Sequence, residues 1–139
     1  MRFFVMMIPD VYKRPVPADF APPADAVEKM GRFNEELVKA GVLLAGEGLH
    51  PPEKAARVSF DESGKPTVTD GPFAETKEAI GGYWIWQVKS REEAIEWARR
   101  CPAGSGDVLE IRQVFEPEDF GPDVARQERE LKEKIGKNK

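Results

Sequence analysis

At 139 residues, 40% hydrophobic and 33% charged, the chain has the length and composition of one globular domain that buries a real core, not of a disordered or fibrous protein. Lys and Arg number 21 against 25 Asp and Glu, a formal charge of −4, so no overall basic field exists to hold a nucleic-acid backbone. A single Cys and a single His cannot form an internal disulfide or the usual Cys/His zinc set, and no other spacing recommends a metal or cofactor, so none is expected.

The first apolar run, residues 3–8, is too short for a signal-peptide core and stops at Pro9, which predicts a cytoplasmic protein with no membrane segment. Residues 2–8 (RFFVMMI) read as a strand buried on both faces. Residues 9–23 hold five prolines and predict an extended loop, of a length that often serves a site. From Asp25, the residues Val27, Met30, Phe33, Leu37 and Val38 recur at helical spacing, with Asp25 and Glu28 as a D-x-x-E start and Gly41 as a stop. The pairs Asp25/Lys29, Glu28/Arg32 and Glu35/Lys39 then fall i,i+4 on a solvated face.

Residues 42–49 (VLLAGEGL) begin as a strand, and Gly46 and Gly48 allow a bulge or a close approach. Residues 55–60 and 66–69 flank the turn composition Asp61-Glu62-Ser63-Gly64, a hairpin. Residues 83–88 (YWIWQV) are aromatic and branched, hence another strand. Ser90 and Glu93 form a capping box for a second helix, whose inner face is Ala94, Ile95, Ala98 and Cys101 and whose stop is Pro102. Residues 108–115 close the sheet. The order β-α-β-hairpin-β-α-β predicts a ferredoxin-like α+β sandwich over residues 1–117. Residues 118–139 form a charged C-terminal extension with a thin stripe of Val124, Leu131 and Ile135, expected as a helix on the surface or reaching to a neighbour.

Two helices cover one face of such a sheet, so the other face should turn polar if it met water. It does not: Phe3/Val5/Met7 and Phe4/Met6/Ile8 are both apolar, as are Tyr83/Ile85 and Trp84/Trp86/Val88. A second cover is required, and a two-fold copy of the chain supplies it, so the expectation is a homodimer of dimeric α+β barrel type with sheets packed face to face. Against that background the strand residues Glu47, Gln87, Glu110 and Arg112 stand out as polar. Glu110 and Arg112 share one face, while Leu109, Ile111 and Phe115 take the other. The pair is either an ion pair at the dimer seam or an Arg that holds an anionic ligand with carboxylates nearby for proton transfer.

Between the hairpin and the aromatic strand lies TDGPFAETKEAIGGYW. Asp70-Gly71-Pro72 reads as a turn with Gly at positive φ, Phe73 as an anchor in the core, and Gly81-Gly82 as a place where the chain passes close to something. The charged residues between are solvated around a hinge, or Asp70, Glu75 and Lys77 line the mouth of a cleft. His50 is the only imidazole, either structural at a strand end or a general base. Cys101 reads as a buried thiol, and Trp84, Trp86 and Trp97 as packing.

These residues also carry a family resemblance. Asp70-Gly71-Pro72-Phe73 with Ala74-Glu75-Thr76-Lys77-Glu78 and Gly81-Gly82-Tyr83 resembles the signature of the DGPF group within the YCII-related domain family. Gly41-Val42-Leu43-Leu44, Gly46-Glu47-Gly48-Leu49, Ala94-Ile95-Glu96-Trp97-Ala98 and Glu110-Ile111-Arg112 agree with it, over roughly residues 1–117. The resemblance implies a dimeric ferredoxin-like fold similar to that of muconolactone isomerase. It also implies a His near the start of the first helix and an Asp near the end of the second, but the matching places here hold Asp25 and Arg100 or Cys101, so that pair is not carried over. DGPF proteins are often encoded beside extracytoplasmic-function sigma factors, which implies a regulatory partner.

Three functions follow as expectations. The first is a small-molecule-binding domain, regulatory in role, that accepts a polar or anionic ligand at Glu47, Asp70, Lys77, Glu110 and Arg112. The second is a cofactor-free isomerase, lyase or monooxygenase with His50, Asp70 or Glu75 as general base. The third is an association with a sigma factor through the charged tail.

Overall fold

In the computed structural model, which describes residues 1–73 and 78–138, strand alternation sets the layers. β1 (Arg2–Ile8) buries Phe3 and Val5 on one side and half-buries Phe4 and Met6 on the other. It sits inside a four-stranded antiparallel sheet of order β2-β5-β1-β6, with β2 (Leu43–Gly48), β5 (Gly82–Gln87) and β6 (Val108–Gln113). α1 (Ala24–Lys39) and α2 (Arg91–Arg99) cover one face. This is the ferredoxin-like arrangement predicted from the order of elements.

The core lies between that face and the helices. Phe33 and Leu37 of α1 and Ala94 of α2 meet Phe3, Val5, Trp84, Trp86 and Val88. Phe33 packs edge-on against Trp84 and Trp86, with centroids 6.2 and 6.3 Å apart, and the two indoles lie 5.7 Å from each other. Such pairs add about 0.5–1.5 kcal/mol each beyond area burial. The Trp84 Nε1–H donates to Asn34 Oδ1 at 2.8 Å, so the indole's polar end enters the core with a partner. Cys101 packs against this cluster, and burial, followed by the charge of Asp107, pushes its thiol up to about 12, as befits an inert sulfur.

Both helix starts differ in detail from their sequence signals. α1 begins at Ala24 after Pro23, with no side-chain cap, so Asp25 lies in the first turn, where it favours the helix dipole. Pro22 and Pro23 hold the approach extended and set the start before a D-x-x-E box could form. At α2, Ser90 Oγ accepts from the Glu93 N–H at 3.1 Å, but Glu93 returns its bond to the Lys89 N–H, one residue upstream of the expected cap. Of the three i,i+4 pairs on α1, Glu28 and Arg32 close an ion pair.

β3 (Ala56–Phe60) and β4 (Pro66–Asp70) form a separate two-stranded sheet, turned by Gly64 at φ +83°. Asp61 Oδ1 accepts from the N–H groups of Ser63 and Lys65, both at 2.9 Å, and so holds the turn. After β6, Phe115 does not reach the core. The strand ends at Gln113, and Phe115 stays 71% exposed, with its ring 5.2 Å from that of Phe120. The charged extension is helical, α3 (Pro122–Gly136), packed on the turn at Pro117–Asp119 with Val124, Leu131 and Ile135 exposed.

Candidate functional site

The strand register brings the polar strand residues onto the sheet face that the helices leave open. Glu47 pairs with Tyr83, Tyr83 with Met6 and Met6 with Glu110, so two carboxylates flank one row across the sheet. In the next row Ile85 pairs with Phe4 and Phe4 with Arg112. Phe4 and Tyr83 stack at 5.2 Å between them. Gln87 shares this face opposite Arg2. Glu110 and Arg112 are exposed and form no ion pair among the described residues. Glu110 and Arg112 share one face, as their spacing predicts; the register adds Glu47 and Gln87 to it, which spacing within single strands does not decide, and Phe115 lies past the strand.

A second constellation lies at the end of β2, in an open cleft of about 430 Å³. One wall runs from Leu49 and His50 through Pro51 and Pro52 to Lys54, Ala55 and Arg57; the other holds Phe73, Glu78, Ala79 and Ile80. Pro51 is fully buried and pins the first wall. A short turn, Pro52–Lys54, follows, closed by the Lys54 and Ala55 N–H groups donating to Pro51 and Pro52 carbonyls at 2.9 Å.

Gly71 locks that turn to the hairpin. Its N–H donates to the Ala55 carbonyl at 2.7 Å, and a Cβ on it would fall 1.9 Å from the Pro52 carbonyl oxygen. Its φ is not positive, so glycine is required here for close approach rather than for a left-handed turn. The next peptide, Gly71-Pro72, is cis. Phe73 does not plug into the core: it lies half-buried in the cleft, with the Arg57 guanidinium 3.8 Å above its ring.

The double glycine behaves as expected. A Cβ at Gly81 would meet Pro9 Cγ at 2.7 Å and the Tyr12 ring at 3.2 Å, while the Gly81 N–H donates to Met7 and its carbonyl accepts from Leu49. The proline-rich loop thereby packs behind the cleft. Glu53 ties it down, since Oε2 accepts from the Val16 N–H at 3.1 Å, and its buried Oε1 meets no partner among the described residues. Burial, and then the charge of Glu53, raise the Tyr12 hydroxyl above its ordinary range.

Among the candidates, His50 stands in the cleft wall, exposed. Asp70 ends β4 opposite Ala56 and lies outside the cleft lining. Glu47, Glu110 and Arg112 belong to the open sheet face. Glu75 and Lys77 lie outside the described residues. Sequence reasoning missed Lys54, Arg57 and Glu53. Lys54 and Arg57 line the cleft and Glu53 holds the proline-rich loop; the contact of Gly71 with Pro52 that joins the hairpin to this wall is long-range, and no local pattern records it.

The family model of the YCII-related domain matches residues 3–118. An uncharacterized protein of Rhizobium meliloti (strain 1021) is 42% identical over 70 residues, half of this chain and 56% of that protein, so the chain spans little more than half the length of the curated relative it matches.

Proposed function

The chain belongs to the YCII-related domain family, and from that premise we propose that it binds a small anionic molecule in the cleft beside His50. One observation carries this reading: apolar walls of Leu49, Pro51, Phe73 and Ile80 carry three basic side chains, His50, Lys54 and Arg57, against one carboxylate, Glu78. Apolar walls with a few convergent polar groups are the usual make-up of a small-ligand site, and about 430 Å³ lies within the usual range. Titration calorimetry with acetate, benzoate and inorganic phosphate tests it. Benzoate should bind saturably, and His50→Ala together with Lys54→Ala should weaken it by about tenfold, or 1.4 kcal/mol. Heat no greater than dilution for all three anions would refute the proposal.

The exposed imidazole in the cleft wall favours a second reading, a cofactor-free enzyme with His50 as general base. Its mark is a turnover that is lost in His50→Gln while ligand binding survives. Neither reading uses Asp70.

The open sheet face supports a homodimer as the working unit. Phe4, Met6, Tyr83 and Ile85 form its apolar centre, half-buried on the face opposite α1 and α2.

A further inference from the structure

Every residue of β3 and β4 is exposed, yet the hairpin is not polar. Its register pairs Ala56 with Asp70, Val58 with Val68 and Phe60 with Pro66, which puts the apolar side chains on one face. The pairs Arg57/Thr69 and Ser59/Thr67 occupy the other. Val58, Phe60 and Val68 are 55%, 68% and 67% exposed, and none belongs to the core. A two-stranded hairpin is marginal in water by itself, so an amphipathic one held away from its own core needs an outside cover.

We propose that this hairpin is an arm gripped by a second copy of the chain, and that the grip shapes the cleft. The inference rests on the homodimer reading. Area identifies the occupant. The four apolar side chains at the centre of the open sheet face are half-buried within one chain and offer at most about 300 Å² of apolar surface, whereas a standard interface takes about 800 Å² from each partner, somewhat over half of it apolar. The arm's three large side chains add about another 300 Å² of apolar surface, so arm and sheet face together approach what a dimer needs and the sheet face alone does not. The link to the cleft is covalent and short. Arg57 of the polar face and Ala55 before it line the cleft, and Gly71 and Phe73 follow β4 directly. A partner that holds Val58 and Phe60 therefore fixes the backbone carrying Arg57, and ligand and partner affinity are reciprocally coupled.

Sedimentation of the full chain across micromolar concentrations tests this. The wild type should dimerise, Val58→Asp with Phe60→Asp should weaken dimerisation at least about tenfold, and Ser59→Asp with Thr67→Asp on the opposite face should not. Near-ultraviolet circular dichroism from the core tryptophans checks that each variant is folded. The single imidazole gives a second readout: the His50 NMR signal should shift on dilution through dissociation in the wild type, and in the arm variant the same shift should come at a concentration at least about tenfold higher. A wild type that stays monomeric overturns both the dimer reading and the arm. A wild-type dimer left equally tight by the double aspartate variant overturns the arm alone, and a His50 signal indifferent to dissociation overturns the coupling.

Discussion

The four-stranded sheet and the β3–β4 hairpin are both antiparallel and both rich in branched and aromatic residues, but their surroundings are opposite. In β5 burial alternates strictly, with Trp84 and Trp86 enclosed and Tyr83 and Ile85 half-buried. In β3 and β4 nothing is buried at all. The difference comes from layering rather than composition: the sheet has two helices on one face, and the hairpin pairs only with itself. Stability should therefore concentrate in the sheet, and the cleft, built where hairpin and sheet meet, should tolerate change. Backbone anchored on one side and loose on the other is common at binding sites.

The largest effect expected from this contrast is at Trp86, fully enclosed beneath Phe33 and Leu37. Trp86→Ala should cost about 3–5 kcal/mol in chemical denaturation, through lost transfer energy and the cavity left behind. Phe60→Ala, measured at dilutions where no association occurs, should change stability by less than about 0.5 kcal/mol. Equal costs would break the comparison, since they would mean that the hairpin has an intramolecular core contact.

At the junction an intermediate effect is expected. Gly71→Ala puts a methyl group onto the Pro52 carbonyl, a rigid backbone neighbour, and should cost about 1–3 kcal/mol by overpacking. Its amide should also exchange faster, because the bond to the Ala55 carbonyl must lengthen as the wall moves. Hydrogen exchange at residues 55 and 71 separates this local opening from a global loss, which would raise exchange in β1 and β5 as well.

The sheet was legible because its signals are local or strictly periodic. RFFVMMI predicts β1 at its full extent, and period-two parity puts Glu110 and Arg112 on one face without any knowledge of their neighbours, whereas Glu47 and Gln87 join them only through the register between strands. The cleft was legible only in fragments. His50 was singled out for its chemistry, and Gly81 for close approach, but the partner of each close approach lies far along the chain. Asp70-Gly71-Pro72 was read as a turn with Gly at positive φ. The constraint instead comes from the Pro52 carbonyl nearly twenty residues earlier, which also moves Phe73 from the core to a place beneath Arg57. Loops are positioned by such tertiary locks, and no period in the sequence encodes them.

The smallest predicted effect tests the sheet's own margin. Arg2 at the start of β1 donates through Nε to both oxygens of Glu116, at 2.9 and 3.1 Å, and through Nη2 to Oε1, in a partly buried bidentate pair. That hydrogen bond, opposed by burial and aided by the charges of Arg2, Lys132 and the N-terminus, holds the Glu116 carboxyl below its ordinary range. The folded state thus binds this proton less readily than the unfolded state. The pair's contribution is full above the unfolded glutamate value of about 4.3 and fades as pH falls through the lowered folded value. Glu116→Gln should lower stability by at most about 1 kcal/mol at neutral pH, since both side chains still meet water, at 26% and 28% exposure. The difference between wild type and variant should close as the solution is acidified below that range. A gap that stays constant down to strongly acid pH would mean that Glu116 acts through packing beside the α3 helix, and that β1 is secured by its strand neighbours alone.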